Sequence, residues 1–138
     1  GMIWLRAALA AFYEDEPRVT VDVSPAIVHH TQYGKTFLAY HHGHTIKKPE
    51  NLLSACVSDW REDFGKSAAV YAHTGHLHHQ SVVETSLGIV EHHGTLAGKD
   101  AYSTNGGWRS RRLAAVIIYS PDHGEIGRFV YYPEYSIL

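Results

Sequence analysis

Short runs in which apolar and polar residues alternate cover most of this chain, and such runs are typical of half-buried β-strands. Residues 19–23 have the sequence Val-Thr-Val-Asp-Val, whereas residues 68–72 are apolar throughout, as in a strand buried on both faces. The dipeptide Gly34-Lys35 has the composition of a hairpin turn. The pattern predicts strands at 19–23, 26–33, 36–40, 68–72, 81–85, 88–92, 113–119 and 125–132.

Two other segments have a helical pattern. The first is 3–13, and the second lies within 47–64, where Pro49 suits a first helical turn. Three apolar side chains of the second segment are expected to face the core: Leu52, Leu53 and Trp60. The stretch 94–112 is rich in Gly, Ser, Thr and Asn and predicts a long loop. We therefore predict a mixed α and β fold, α/β in class, with residues 1–138 as a single domain.

The composition narrows the classes of protein to which the chain can belong. It has 138 residues, a formal charge of −2 with neutral histidines, and a single cysteine. This balance does not point to nucleic acid or a membrane surface, and Cys56 alone cannot form an internal disulfide or a cysteine-based zinc site. The apolar N-terminal stretch is too short to span a bilayer. We expect a cytoplasmic protein, with Gly1 as an expression-tag remnant.

The 12 histidines are clumped rather than scattered. One run, 41–44, follows a predicted strand, and a second run, 76–79, follows the next apolar strand. On extended backbone a His-x-His pair directs both rings to the same side, and both runs contain such a pair. Three histidines from two loops would supply the protein ligands of a catalytic metal site and leave one position for water.

The pairs with this spacing are His42 with His44 and His76 with His78, and either run could provide two of the three ligands. The cofactor is expected to be a divalent metal ion, and zinc, manganese, iron and nickel are the candidates. The other isolated histidines are expected to be ordinary surface or hydrogen-bonding residues: His29, His30, His73, His92, His93 and His123.

The same runs resemble the motifs of a known enzyme family. Gly75-His76-Leu77-His78 looks like the Gly-His-x-His motif of calcineurin-like metallophosphoesterases, and residues 38–44 resemble the family's strand-then-His-Gly motif. Downstream, residues 94–102 and 108–111 are similar to a phage- and prophage-associated branch of these enzymes. The motifs occur in the family's order, and the resemblance extends over residues 19–132.

This resemblance implies a fold, an activity and a set of site residues. The fold would be the strand-rich C-terminal half of the family's β-sandwich, with flanking helices. His42 and His76 would bind one metal ion and His78 a second, and a bridging hydroxide would attack a phosphoester or phosphodiester. The side chains expected at the substrate phosphate are His44, His79 and Arg109.

Motifs from the first half of the family's fold are missing. The sequence contains no Asp-x-His, Gly-Asp-x-x-Asp or Gly-Asn-His-Asp/Glu motif, which would provide the bridging aspartate and the histidine that assists the leaving group. The resemblance therefore implies half of a dinuclear site. Half of a sandwich would also expose apolar sheet, so we expect a homo-oligomer or a separate N-terminal half to cover it.

Three functions follow from the sequence. The first is metallophosphoesterase-like hydrolysis, and the second is a non-catalytic, histidine-rich metal-binding or structural role. The third, nucleic-acid binding without catalysis, depends on a few basic and aromatic residues of one loop: Arg109, Arg111, Arg112, Tyr102 and Trp108. Such mixing more often reflects packing and solvation, so nucleic acid is expected only as a substrate.

Overall fold

The computed structural model describes residues 2–46, 48–97 and 111–133. The chain forms three helices and seven strands in these ranges, in the order α1 (Met2–Phe12), β1 (Val28–Tyr33), β2 (Thr36–His41), α2 (Pro49–Asp59), α3 (Arg61–Gly65), β3 (Ala69–Thr74), β4 (Ser81–Thr85), β5 (Gly88–His92), β6 (Ala114–Ser120) and β7 (Gly124–Tyr131). The predicted mixed α and β class is confirmed. None of the described helices has the length and apolar character needed to cross a membrane.

The predicted strand at 19–23 is wrong, because no strand forms between α1 and β1. A strand needs a neighbouring strand to accept its backbone hydrogen bonds. In this segment a nearby side chain accepts one of them instead. The Asp22 carboxylate accepts a hydrogen bond from the Ser24 backbone N–H at 2.7 Å and pairs with His29 at 2.6 Å. The Asp22 side chain thereby takes up a backbone donor of this segment, and Val23 remains exposed.

The larger sheet has five strands in the order β1-β2-β3-β5-β4. Strands β2, β3 and β5 are parallel, whereas β1 and β4 pair antiparallel with β2 and β5. His41 lies opposite Thr74, and Thr74 lies opposite His92, so the three parallel strands end at the same edge. Ligand sites of open α/β sheets form beyond such carboxyl ends, because the loops there converge.

One face of this sheet is covered by α2 and α3. The buried core consists of Val28, Phe37, Ala39, Leu52, Leu53, Cys56, Ala72 and Val90, with Trp60 and Phe64 packed against it. These strand residues alternate along β2 and match the apolar positions of α2, which confirms the predicted inward direction of Leu52 and Leu53. Burial raises the pKa of the Cys56 thiol to about 11, so this cysteine is a core residue rather than a reactive one.

The opposite face is covered by the β6–β7 hairpin. The Thr36 hydroxyl donates to the Ser120 carbonyl at 2.8 Å, and the Glu125 backbone N–H donates to the Tyr71 hydroxyl at 3.0 Å. The rings of Tyr71 and Tyr119 lie 5.0 Å apart. Polar and aromatic contacts therefore join the hairpin to the sheet, and the second of two histidine clusters lies at this interface.

Candidate metal centres

Two histidine clusters lie near the carboxyl ends of the parallel strands. The first, the edge cluster, consists of His42, His44 and His76 in the loops that follow β2 and β3. The Nδ1 atom of His76 is 3.2 Å from Nε2 of His42. The ring centroid of His44 is 5.2 Å from that of His42 and 6.3 Å from that of His76. All three side chains are exposed to solvent.

Close backbone contact holds the two edge loops together. The Gly75 N–H donates to the His42 carbonyl at 3.2 Å. Gly43 has a φ of +97°, and a Cβ atom there would lie 2.7 Å from the Gly75 carbonyl oxygen. Only glycine combines this conformation with this approach. Gly43, between His42 and His44, thus allows the two loops to approach closely enough for their histidines to meet.

His41 supports the first loop from below. It is buried, its Nδ1 accepts a hydrogen bond from the Gly43 N–H at 2.9 Å, and its Nε2 lies 3.0 Å from the Thr45 hydroxyl. Because Nδ1 accepts, Nε2 carries the proton and donates to Thr45. Burial, followed by the nearby His44 and His42, lowers the pKa of His41. His41 is therefore a neutral residue that positions the loop, with both of its nitrogens engaged.

The second loop contains two histidines in the left-handed region. His76 has a φ of 68° and His78 a φ of 56°, and these are the described non-glycine residues with positive φ. Such a conformation costs about 1 kcal/mol per residue for an L-amino acid. Strain of this kind concentrates at functional sites. Glycine would avoid it, so the presence of histidine at both positions supports a functional role for the imidazole side chains.

The sequence-predicted site residues have different outcomes. The structure brings His42, His44 and His76 together, but within the described ranges His78 makes no hydrogen bond or ring contact with them. His79 turns toward β5, where its ring lies 6.3 Å from that of His92. Arg109 lies outside the described residues. The predicted ligand set His42, His76 and His78 stays a prediction.

A second group, the inner cluster, consists of His73, Glu91 and His93. The pairing of β3 with β5 places His73 directly opposite Glu91, and His93 follows the end of β5. One potential ligand atom from each residue lies within 4.8 Å of the others, so this group could hold a metal ion. Nδ1 of His73 is 2.8 Å from Nε2 of His93, and Nδ1 of His93 is 3.8 Å from a Glu91 oxygen.

The hairpin completes the surroundings of the inner cluster. The Tyr119 hydroxyl lies 2.8 Å from Nε2 of His73. Arg128 donates two hydrogen bonds to the Glu91 carboxylate, at 2.8 and 2.9 Å, and two more to Glu125. Tyr119, His73 and His93 thus form a hydrogen-bonded chain, and its last ring lies 3.8 Å from the bidentate Glu91–Arg128 ion pair.

Burial sets the charge state of this network. It lowers the pKa of His73 to about 4, with His93 as the next largest cause, so the ring is neutral at neutral pH. Burial alone would raise the pKa of Glu91, but hydrogen bonds from Arg128 and the charge of His93 hold that pKa below its ordinary value. Neutral imidazole and ionised carboxylate are the forms that bind metal ions.

The sequence pattern does not set His73 and His93 apart from ordinary surface or hydrogen-bonding histidines, but the structure places them with Glu91 in a group that could hold a metal ion. His73 precedes the Gly-His-x-His run on the same strand, and Glu91 and His93 have the i, i+2 spacing of side chains on one face. That spacing was a usable signal. The sequence does not show, however, that β3 pairs with β5 in the register that places Glu91 opposite His73.

Comparisons of the chain with protein-family models, with curated proteins and with solved structures gave no match. The likeness to metallophosphoesterases therefore rests on the short motifs in the sequence. The functional conclusions below depend on the geometry of the two clusters.

Proposed function

We propose that this chain is a metallophosphoesterase-like protein that supports metal-dependent hydrolysis of phosphoesters at the edge cluster. The observation that carries the proposal is the 3.2 Å separation between nitrogens of His42 and His76, which come from loops on two parallel strands. Two nitrogen ligands on a tetrahedral ion are about 3.3 Å apart, given metal–nitrogen bonds of about 2.0–2.1 Å. The donor set therefore fits a divalent transition metal.

The residues of this chain would contribute binding and orientation. His42 and His76 would hold the ion, and His78, two positions after His76 in the same loop, would be the third ligand. Exposed His44 is positioned to donate a hydrogen bond to a phosphate oxygen. The ion would supply an activated water and neutralise charge on the phosphate.

Hydrolysis of bis(p-nitrophenyl) phosphate in the presence of Mn²⁺ tests this function. We expect His76→Ala to lower the turnover at least tenfold. His123→Ala is the matched control, because His123 is an exposed histidine in the β6–β7 turn. That turn packs beside Thr36, at the other end of β2 from the edge cluster. Equal turnover by wild type and His76→Ala would refute the proposal.

A second candidate function is metal binding without catalysis. Within residues 2–46, 48–97 and 111–133, no carboxylate forms a ligand group with the edge histidines. A dinuclear phosphoesterase needs a carboxylate to bridge its ions, so the described part of the chain favours a single ion at the edge. This reading predicts that Mn²⁺ or Zn²⁺ binds, that His76→Ala weakens the binding, and that wild type shows no turnover.

We also propose that the chain associates with a second copy of itself through the outer face of the β6–β7 hairpin. Val116, Ile126 and Phe129 are 62%, 62% and 69% exposed, and β6 and β7 pair only with each other among the described strands. Two open edges beside an apolar face favour self-pairing. Size-exclusion chromatography with light scattering should give a dimer that Phe129→Glu converts to a monomer. A monomeric wild type would contradict this proposal.

A further inference from the structure

The inner cluster combines two imidazoles and one carboxylate in the interior of the protein. His73 and Glu91 belong to strands β3 and β5 and His93 directly follows β5, whereas the edge cluster lies entirely in loops. The Glu91 side chain is only 4% exposed, while that of His93 is 29% exposed and gives access from solvent. A buried carboxylate beside two imidazoles is a donor set that suits transition-metal ions better than alkaline-earth ions.

We propose that His73, Glu91 and His93 form a second metal site, of the two-histidine, one-carboxylate class, that binds Zn²⁺, Co²⁺ or Fe²⁺ independently of the edge cluster. Nδ1 of His73 and Nε2 of His93 are 2.8 Å apart and now share a proton. A tetrahedral ion requires about 3.3 Å between two nitrogen ligands. The two rings therefore need to separate by only about 0.5 Å to exchange the proton for an ion.

Tyr119 and Arg128 fit the roles of supporting residues. With a metal on Nδ1, the Nε2–H of His73 would donate to the Tyr119 oxygen that already lies 2.8 Å away, which fixes the tautomer of the ligand. Arg128 holds both oxygens of Glu91 in place and keeps the carboxylate ionised. Each carboxylate oxygen has two lone pairs, so one oxygen can bind an ion without releasing the arginine.

Because Tyr119 and Arg128 belong to the hairpin and the three ligands to the sheet, ion binding would also strengthen the attachment of the hairpin. Binding to the folded state alone raises stability by mass action. This role needs no substrate and no hydrolysis, so the inference stands apart from the proposed phosphoesterase function.

The experiment uses the full chain with the edge cluster removed by His42→Ala and His76→Ala. Co²⁺ is titrated into this double variant and followed by its d–d absorption, with Mg²⁺ and Zn²⁺ as competitors. We expect one Co²⁺ per chain, displaced by Zn²⁺ and unaffected by Mg²⁺. Adding His93→Ala should weaken the binding at least a hundredfold, whereas adding His123→Ala should leave it unchanged.

A second measurement avoids any substitution in the inner cluster. Nitrogen NMR of the double variant should show Zn²⁺-dependent shifts at His73 Nδ1 and His93 Nε2, and the His123 ring should not respond. Tyr119→Phe should reduce the Co²⁺ affinity about tenfold at unchanged stoichiometry. The proposal is overturned if the double variant binds no Co²⁺, or if the His73 and His93 resonances do not move when Zn²⁺ is added.

Discussion

The edge and inner clusters contain the same kind of side chain but differ in what holds them. The edge histidines are exposed, lie on loops, and contact each other with a nitrogen separation of 3.2 Å. The inner histidines lie between the sheet and the hairpin, where the Tyr119 hydroxyl contacts His73 and Arg128 donates to Glu91 and Glu125. The edge loop contains two residues with strained backbone, His76 and His78, whereas the inner cluster contains a buried ion pair between Glu91 and Arg128.

This difference suggests that the two clusters have different roles, one in binding and the other in stability. A strained, exposed cluster has little to contribute to stability, so substitutions there are expected to leave unfolding almost unchanged. A largely buried network of hydrogen bonds and ion pairs contributes to stability even without a ligand, because breaking it leaves buried polar groups without partners. We therefore expect substitutions in the inner cluster to alter unfolding strongly, and substitutions at the edge to alter binding.

The largest effect is expected for Glu91→Gln. It removes the buried charge that Arg128 contacts through two hydrogen bonds, so the free energy of unfolding should fall by about 4 kcal/mol. Glu16→Gln is the matched control, because Glu16 makes the same bidentate contact with Arg18 at the exposed surface. Urea unfolding should show no measurable change for the control. Similar losses in both variants would contradict the division between the clusters.

The next effect is a loss of stability in acid. Folding lowers the pKa of His73 to about 4 from an ordinary value of 6.5, chiefly through burial. Between these pH values the unfolded chain binds more protons than the folded one, so the free energy of unfolding falls as the pH drops from 6.5 to 4, by up to about 3 kcal/mol. His73→Phe keeps a ring beside Tyr40 but cannot titrate, so its unfolding should depend less on pH.

His41 and His92 also have lowered pKa values, caused mainly by burial, and they act in the same direction. The informative quantity is therefore the difference in slope between wild type and His73→Phe over pH 4 to 6.5, measured by urea unfolding at fixed ionic strength. Equal slopes would show that folding does not lower the pKa of His73. The inner cluster would then not differ from the exposed edge cluster in its charge state.

Local sequence was sufficient to predict most elements of this fold. The strands with alternating or continuous apolar patterns were confirmed, as were both helical segments, because burial on one face imposes a period that the sequence displays. The strand at 19–23 had the right period and no neighbour to pair with. The alternation of apolar and polar residues does not show whether a neighbouring strand is available for pairing.

The two candidate sites show the same limit. The approach of the two histidine runs could be predicted, because each run is continuous in the chain and both follow strands that end at one edge. The inner cluster could not, because it depends on a register of β3 with β5 and on a hairpin that returns from more than thirty residues away, as Arg128 does to Glu91. Non-local pairing leaves no local pattern in the sequence.

A third effect is expected at Gly43. Gly43→Ala would place a Cβ atom 2.7 Å from the Gly75 carbonyl oxygen at a positive φ, and should cost about 2 kcal/mol of stability. It should also separate the edge loops and reduce Mn²⁺ affinity at least tenfold. Gly127→Ala, which meets no atom within 4 Å, is the control. Unchanged Mn²⁺ affinity in Gly43→Ala would show that the edge loops need not touch for binding.

The smallest effect concerns His78 and is expected to have the opposite sign. Glycine adopts the φ of 56° at this position without strain, so His78→Gly should raise the free energy of unfolding by about 0.5 kcal/mol. His79→Gly, at a neighbouring exposed position without positive φ, should lower it by a similar amount.

The same variant reports on metal binding at the edge. If His78 is the third ligand, His78→Gly should weaken Mn²⁺ binding while it stabilises the fold, and His79→Gly should leave the affinity unchanged. A stabilised His78→Gly variant with full Mn²⁺ affinity would assign the third position to His44, whose ring lies 5.2 Å from that of His42. The strain at His78 would then need another cause.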